Sequence, residues 1–399
     1  MGTNNPRLFL AVDNCFAAKR WTEPDEWGRA AVECGFRFVE ASADNEADIL
    51  YRGRDNMSAW VEDVRKAERR HGFRVANVYS GHGTYATLGL GHTNEAIADR
   101  FLERWVEPMI ETAGALDAGL GFFAHAFPVA VLEDPQLFTQ ARSKLIERFA
   151  RIALIADKRL ARPLAVEQMY TPHQIPWTIG GTIQLIKDVF EKAAVPLYTT
   201  IDTGHQSGQV AFGRPDFEQF QQAVAHASAG MWNDVCWIGP EAAYAYLLDA
   251  ASDRIDVRDA WDRIQPLMDE RPYLFSSAND ADPYEWLRAV GTFSPIVHLQ
   301  QTDSTSSSHL LFTPTTNATG IITGEHVLRS LKQAYDATEI GSLLPSIENI
   351  FLTVEFFAGT SSRPFTVIQH LRETAAYWRG FIPEDGISLA EALRHIEET

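Results

Sequence analysis

Eight short apolar runs recur along this chain, and longer amphipathic segments separate most of them. The runs are 8–12, 36–41, 74–79, 121–125, 164–168, 197–201, 296–300 and 351–356. Segments 58–71, 94–113, 135–157, 181–193, 325–337 and 365–379 carry apolar residues at a spacing near 3.6, with charges on the opposite face. A strand–helix alternation of this kind predicts a parallel sheet with right-handed crossovers. Eight strands favour a closed barrel over an open doubly wound sheet. No GxGxxG follows the first run and no GxxxxGK[ST] occurs, so a nucleotide cradle is unsupported. The expected fold class is α/β, a (β/α)8 TIM barrel over residues 1–399 as a single domain.

The regular spacing fails once. Nearly a hundred residues separate Asp202 from His298, about twice what one βα unit needs. The surplus, roughly 227–290, reads as a helical insertion between strands six and seven. It carries Trp232, Trp237, Tyr244, Tyr246 and Trp261. Packing on the outside of the barrel is the plain interpretation, and dimer contacts come second. A homodimer or homotetramer is the expected assembly.

Charge and cysteine content narrow the function classes. The formal net charge is −18, which argues against nucleic acid as the main partner, because phosphate contacts need a basic face. Cys15, Cys34 and Cys236 are odd in number and widely spaced, which speaks against a disulfide framework or a zinc–thiolate site. The first residues, MGTNNPRLFLAVDN, have too short an apolar run for a signal peptide. No stretch approaches the ~18 uninterrupted apolar residues of a membrane span. A cytoplasmic location and no membrane contact are expected.

The most informative residues end four successive runs: Glu167 in LAVEQMY, Asp202 in LYTTIDTGH, His298 in PIVHLQQTD and Glu355 in IFLTVEFF. Side chains at the C-terminal ends of parallel strands converge on one mouth of a barrel, where the chemistry sits. Two glutamates, an aspartate and a histidine suit one oxygen-preferring divalent ion, Mn²⁺ or Mg²⁺, with Co²⁺ or Zn²⁺ as further options. Taken singly, each acid could be a paired structural carboxylate, and His298 a core imidazole bonded to a carbonyl.

These residues together resemble the xylose isomerase-like family of sugar isomerases and epimerases. The likeness rests on VEQ at Glu167, IDTGH at Asp202 and His205, IVHLQQ at His298, TVEFF at Glu355, and GFRFVEAS with Glu40 at its end. It implies metal-assisted proton transfer through an enediolate, with Glu167 and Glu355 as the catalytic pair. The metal would be held by Glu167, Asp202, His298 and Glu355, and the substrate hydroxyls by His205. Family members that epimerise free ketohexoses carry a Glu where this chain has His173, and an Arg where it has Ser304, so substrate recognition differs. The HLQQTD segment and the long excursion are more similar to members acting on short ketose phosphates, such as tetrulose-phosphate epimerases or isomerases.

Further substrate-binding candidates are Glu40, His173, and His82 and His125 just past strand ends. For the histidines a structural imidazole is an equal alternative. The DSTSSSH loop could hold a phosphate through 304–308 with Arg363, or be a plain polar turn. The partner is then a small-molecule sugar or sugar phosphate. The competing functions are a sugar dehydratase or lyase on the same barrel, an endonuclease-like metal-dependent hydrolase, and a non-catalytic sugar-binding subunit. The hydrolase would need extra His and Asp ligands and a basic groove, which the acidic charge disfavours.

Overall fold

The computed structural model describes residues 5–81, 89–124, 126–337 and 344–398. Eight parallel strands close on themselves: β1 (Arg7–Asp13), β2 (Phe38–Ser42), β3 (Arg74–Tyr79), β4 (Gly119–Phe122), β5 (Leu164–Glu167), β6 (Tyr198–Asp202), β7 (Ile296–Leu299) and β8 (Asn349–Val354). Each pairs with its neighbour in sequence, and β1 pairs with both β8 and β2. A two-residue strand, β9 (Ile387–Ser388), runs antiparallel to the start of β1. The fold is the expected (β/α)8 barrel.

The strands are apolar because both faces are covered. Leu8, Leu10, Val12, Val78, Leu120, Val166, Ile201, Val297 and Leu352 are fully buried. The flanking helices turn apolar stripes to them. In the helix Gly324–Asp336, for example, Val327, Leu328, Leu331 and Ala334 are buried. Burial of one such side chain contributes about 1.5–3 kcal/mol.

Register sets which residues at the mouth are neighbours: Asp13 pairs with Glu40 and Asp202 with His298. The ladder between β2 and β3 slips between Val39 and Glu40, leaving Ala76 unpaired and setting Glu40 beside Asn77. A bulge of this kind re-aims a side chain at a barrel rim. Only β3 keeps both expected bounds; the other strands shift at one or both ends by one to three residues, and two shifts matter here. Run 121–125 is strand only to Phe122, and β8 ends at Val354, so Glu355 stands one residue past the ladder. Its N–H still bonds the Leu299 carbonyl at 3.1 Å, which keeps it fixed.

Between β6 and β7 lie helices Phe217–Ser228, Glu241–Ala251, Val257–Asp269 and Pro283–Val290. Asp216, Asp256 and Asp282 cap three of them, each accepting a first-turn N–H. The first three pack on one another, whereas Pro283–Val290 packs against Ile179–Ala193 and Gly324–Asp336 and takes the ordinary crossover position. The excursion also leans on the β4–β5 connection. The Tyr273 ring stacks on Phe138 at 3.7 Å and its hydroxyl donates to the Leu132 carbonyl. Among the described residues, no helix is long and apolar enough to cross a membrane.

Candidate active site

Glu167 ends β5, Asp202 ends β6, His298 lies within β7 and Glu355 follows β8. One ligand atom from each lies within 4.8 Å of the others, and all four side chains are buried. His298 is the hub. Its Nδ1 is 3.0 Å from Glu167 Oε1 and 3.5 Å from Glu355 Oε2, and its Nε2 is 2.6 Å from Glu40 Oε1. Glu40 in turn accepts from Asn77 Nδ2, the neighbour supplied by the slipped register. With Nε2–H donated to Glu40, Nδ1 is the nitrogen left to face the cluster.

Asp202 uses its two oxygens differently. Oδ1 accepts from the N–H groups of Gly204 (2.6 Å) and His205 (3.1 Å) and from Gln300 Nε2 (2.8 Å). Oδ2 is buried without a hydrogen-bond partner. Glu355 Oε2 lies 3.2 Å from His309 Nδ1, yet neither atom makes a directed hydrogen bond. Asp13, at the end of β1, accepts from Cys15 N–H through Oδ1 and buries Oδ2 without a partner.

The charge is unbalanced. Asp13, Glu40, Glu167, Asp202 and Glu355 are buried about a single fully buried imidazole, and no Lys or Arg is among the buried described residues. Burial, with repulsion from Glu167 and Asp202, drives the Glu355 carboxyl well above the usual carboxylate range despite the pull of His298. Burial, then Glu40 and Glu355, does the same to Asp13. Burial works against the charged form of His298, but Glu355, Glu40 and Glu167 outweigh it and hold that imidazole well above its ordinary value. Burial also opposes ionisation of Asp202, yet His205, His309 and His298 bring it below the usual value. Ionised carboxylates are costly to bury unless paired or bound to a metal. The partnerless oxygens, the available Nδ1 and the carboxylate-rich donor set fit a divalent cation, and these residues could hold one.

A cavity of about 380 Å³ opens beside the cluster. Glu167, Glu355, His205, Ser307 and His309 form its polar side, and Tyr79, Phe123, Met169, Tyr170 and Phe357 form an apolar wall. His205 is oriented by its Nδ1, 2.7 Å from the Gln168 carbonyl. His309 adopts φ 46°, left-handed backbone that costs a non-glycine residue of order 1–3 kcal/mol, and packs edge-on against Phe357.

The other sequence candidates fall elsewhere. Glu40 is occupied by His298 and Asn77 rather than facing the cavity. His173 directs Nδ1 to the Phe127 carbonyl at 2.7 Å and lines a separate cavity with Trp237 and Leu274. Ser304 and Arg363 are not among the residues lining the site cavity, and Arg363 is exposed at the head of the helix Pro364–Arg379. His82 and His125 lie outside the described residues. Ser307 falls within the 304–308 loop expected to meet a phosphate, whereas sequence reading missed His309 and Asp13. Only Asp13, at the tip of an apolar run, had a positional signal.

Residues 29–233, just over half of the chain, match the family model described as xylose isomerase-like TIM barrel. D-erythrulose 1-phosphate 3-epimerase of Brucella abortus (strain 2308) is 30% identical over 105 residues, 26% of this chain and 31% of that relative. The match thus spans under a third of that protein. The crystal structure of a candidate xylose isomerase from Rhodospirillum rubrum ATCC 11170 superposes with TM-score 0.63 at 16% identity, covering 93% of this chain and 98% of that one. D-psicose 3-epimerase from Clostridium cellulolyticum H10 gives 0.53 at 10% identity, covering 94% and 98%. These two structures bear on the fold.

Proposed function

The chain belongs to the xylose isomerase-like TIM-barrel family, and from that premise we propose that it is a divalent-metal-dependent isomerase or epimerase of a short ketose or ketose phosphate. The observation that carries this reading is the meeting of two buried glutamates, Glu167 and Glu355, with Asp202 and His298 on one side of an aromatic-walled cavity.

Glu167, Asp202, His298 and Glu355 would hold the ion, Mn²⁺ or Mg²⁺. When bound, such an ion stabilises negative charge developing on a substrate carbonyl oxygen, worth several kcal/mol. Glu167 and Glu355 come from strands three apart and both line the cavity. One removes the proton from the carbon beside the carbonyl, and the other returns a proton to the opposite face; the roles exchange with reaction direction. A positioned base of this kind contributes ~10²–10⁴-fold. His205, His309 and Ser307 hydrogen-bond substrate hydroxyls. Tyr79, Phe123 and Phe357 pack on the carbon face of the sugar and exclude water. The Brucella relative, named for erythrulose 1-phosphate, makes tetrulose phosphates the first substrates to try.

The test is incubation in D₂O with Mn²⁺ and candidate tetruloses, pentuloses and their phosphates. Solvent deuterium enters at the carbon beside the carbonyl, and Glu167→Gln and Glu355→Gln each abolish the exchange. Turnover without exchange would replace proton transfer by a hydride shift. Full activity in either variant would remove that residue's role.

A further inference from the structure

Gln300 is two residues past His298 and its side chain is fully buried. Its amide joins two parts of the site that no other described hydrogen bond joins directly. Nε2 donates to Asp202 Oδ1 at 2.8 Å and to Ser307 Oγ at 3.0 Å, and Oε1 accepts the His309 N–H at 2.7 Å. The amide orientation follows from these partners. Reversed, it would set an oxygen against the Asp202 carboxylate and an NH₂ group against the His309 N–H.

The backbone of Gln300 is held as firmly. Its N–H donates to Thr203 Oγ1, and that hydroxyl donates back to its carbonyl, both at 3.0 Å. Gly204 makes room for the amide, because a Cβ there would overlap Gln300 Cδ and Oε1. Ser307 and His309 belong to a loop whose base is pinned by a bridge between Gln301 and Leu310. Gln301 anchors that loop on the other side, through Asn317, Thr302 and Ile322, and none of these described hydrogen bonds reaches Asp202.

We propose that Gln300 is a positioning residue that couples the Asp202 carboxylate to the substrate-facing loop, so that filling the cation site orders Ser307 and His309 before any sugar arrives. The mechanism is local. Asp202 Oδ1 already accepts three donors, so a ligand engaged at the partnerless Oδ2 fixes the carboxylate plane. Gln300 Nε2 follows that plane, and Oε1 on the same rigid amide fixes the His309 N–H. The cation and the sugar then favour each other's binding. This inference rests on the metal-site reading above.

The experiment is hydrogen exchange of the full chain, read by mass spectrometry over 302–310, with and without Mn²⁺ and with no sugar present. In the wild type Mn²⁺ slows exchange of these amides about fivefold, as expected for one firmer hydrogen bond. Gln300→Met, close in volume, loses this response even when saturated with Mn²⁺, and binds Mn²⁺ roughly 10–100-fold more weakly. Gln301→Met exchanges faster in the loop with or without Mn²⁺ but keeps the response. A purely structural role for Gln300 would make the two variants alike, and that outcome overturns the proposal. So does wild-type protein that binds Mn²⁺ while exchange of this loop stays unchanged, a measurement independent of how the variants fold. Failure of the wild type to bind Mn²⁺ in calorimetry removes the metal reading as well, which separates the two failures.

Discussion

Replacing Glu40 by glutamine isolates the contribution of a carboxylate whose described hydrogen bonds go to His298 and Asn77. Glu40 Oε1 sits 2.6 Å from His298 Nε2. A hydrogen bond to an ionised acceptor contributes about 1.5–3 kcal/mol, roughly twice a neutral one. Glutamine keeps the shape and an acceptor, so this bond loses about 1–1.5 kcal/mol. The loss falls on the state in which Nδ1 serves as a ligand, because a less polarised ring is a poorer donor to a cation. Mn²⁺ binding should weaken about 5- to 13-fold, at the low end of the ~10–100-fold usual for partners of ligating histidines. A second effect acts on the fold. Asn77 Nδ2 donates to the other Glu40 oxygen, and an NH₂ placed there opposes donor to donor. That strain is common to loaded and unloaded protein and cancels in the affinity. In the unloaded protein it is further offset by relief of the repulsion between Glu40 and Asp13. Calorimetric titration of Mn²⁺ into metal-free protein reads the affinity, and thermal melts read the fold. A dissociation constant within twofold of wild type would refute the claim that Glu40 works through His298.

Three other outcomes follow from the same geometry. Glu355, Asp13 and His298 each hold a proton more tightly folded than unfolded. Their stabilisation is complete below the ordinary values of about 4 and 6.5 and is lost as pH rises through the raised folded values, whereas the Asp202 contribution is lost only as pH falls through its lowered value. The melting temperature of metal-free protein should therefore fall as pH rises above about 4, and further above about 6.5, with saturating Mn²⁺ flattening the dependence. Gly204→Ala should lower the urea midpoint by the equivalent of about 1–3 kcal/mol at unchanged m-value, because the new Cβ displaces Gln300. Trp286→Ala, at a fully buried ring, should destabilise by about 3–5 kcal/mol, and Trp232→Ala, 58% exposed, by no more than about 0.5 kcal/mol; chemical denaturation distinguishes the two.

The barrel was legible because buried parallel strands and their covering helices write two different periods into the chain. The four residues at the mouth were legible because each interrupts or ends an apolar run, where a polar side chain is costly to bury unless it is paired or ligating. What escaped lacks such a background. The strand Ile387–Ser388 is two residues long, too short for any period. Ser307 and His309 lie in a polar loop where every residue is plausible, and the cavity lining and the hydrogen bonds of Gln300 select them over Ser304. Glu40 was visible as a mouth residue, but its partner was not, because the one-residue slip opposite Ala76 leaves no mark in composition. Arg363 was expected from its place in the last loop, but it heads a helix and is exposed.

The stack of Tyr273 on Phe138 has an engineering consequence. A designer who wished to move the aromatic-rich excursion onto another cylinder could not cut only at its two ends. The foreign host would have to supply a flat ring at the position of Phe138 and an accessible carbonyl at that of Leu132. Without them the transplanted helices would keep their mutual contacts but lose their footing, and recombination breakpoints in this lineage should fall so that both patches travel together.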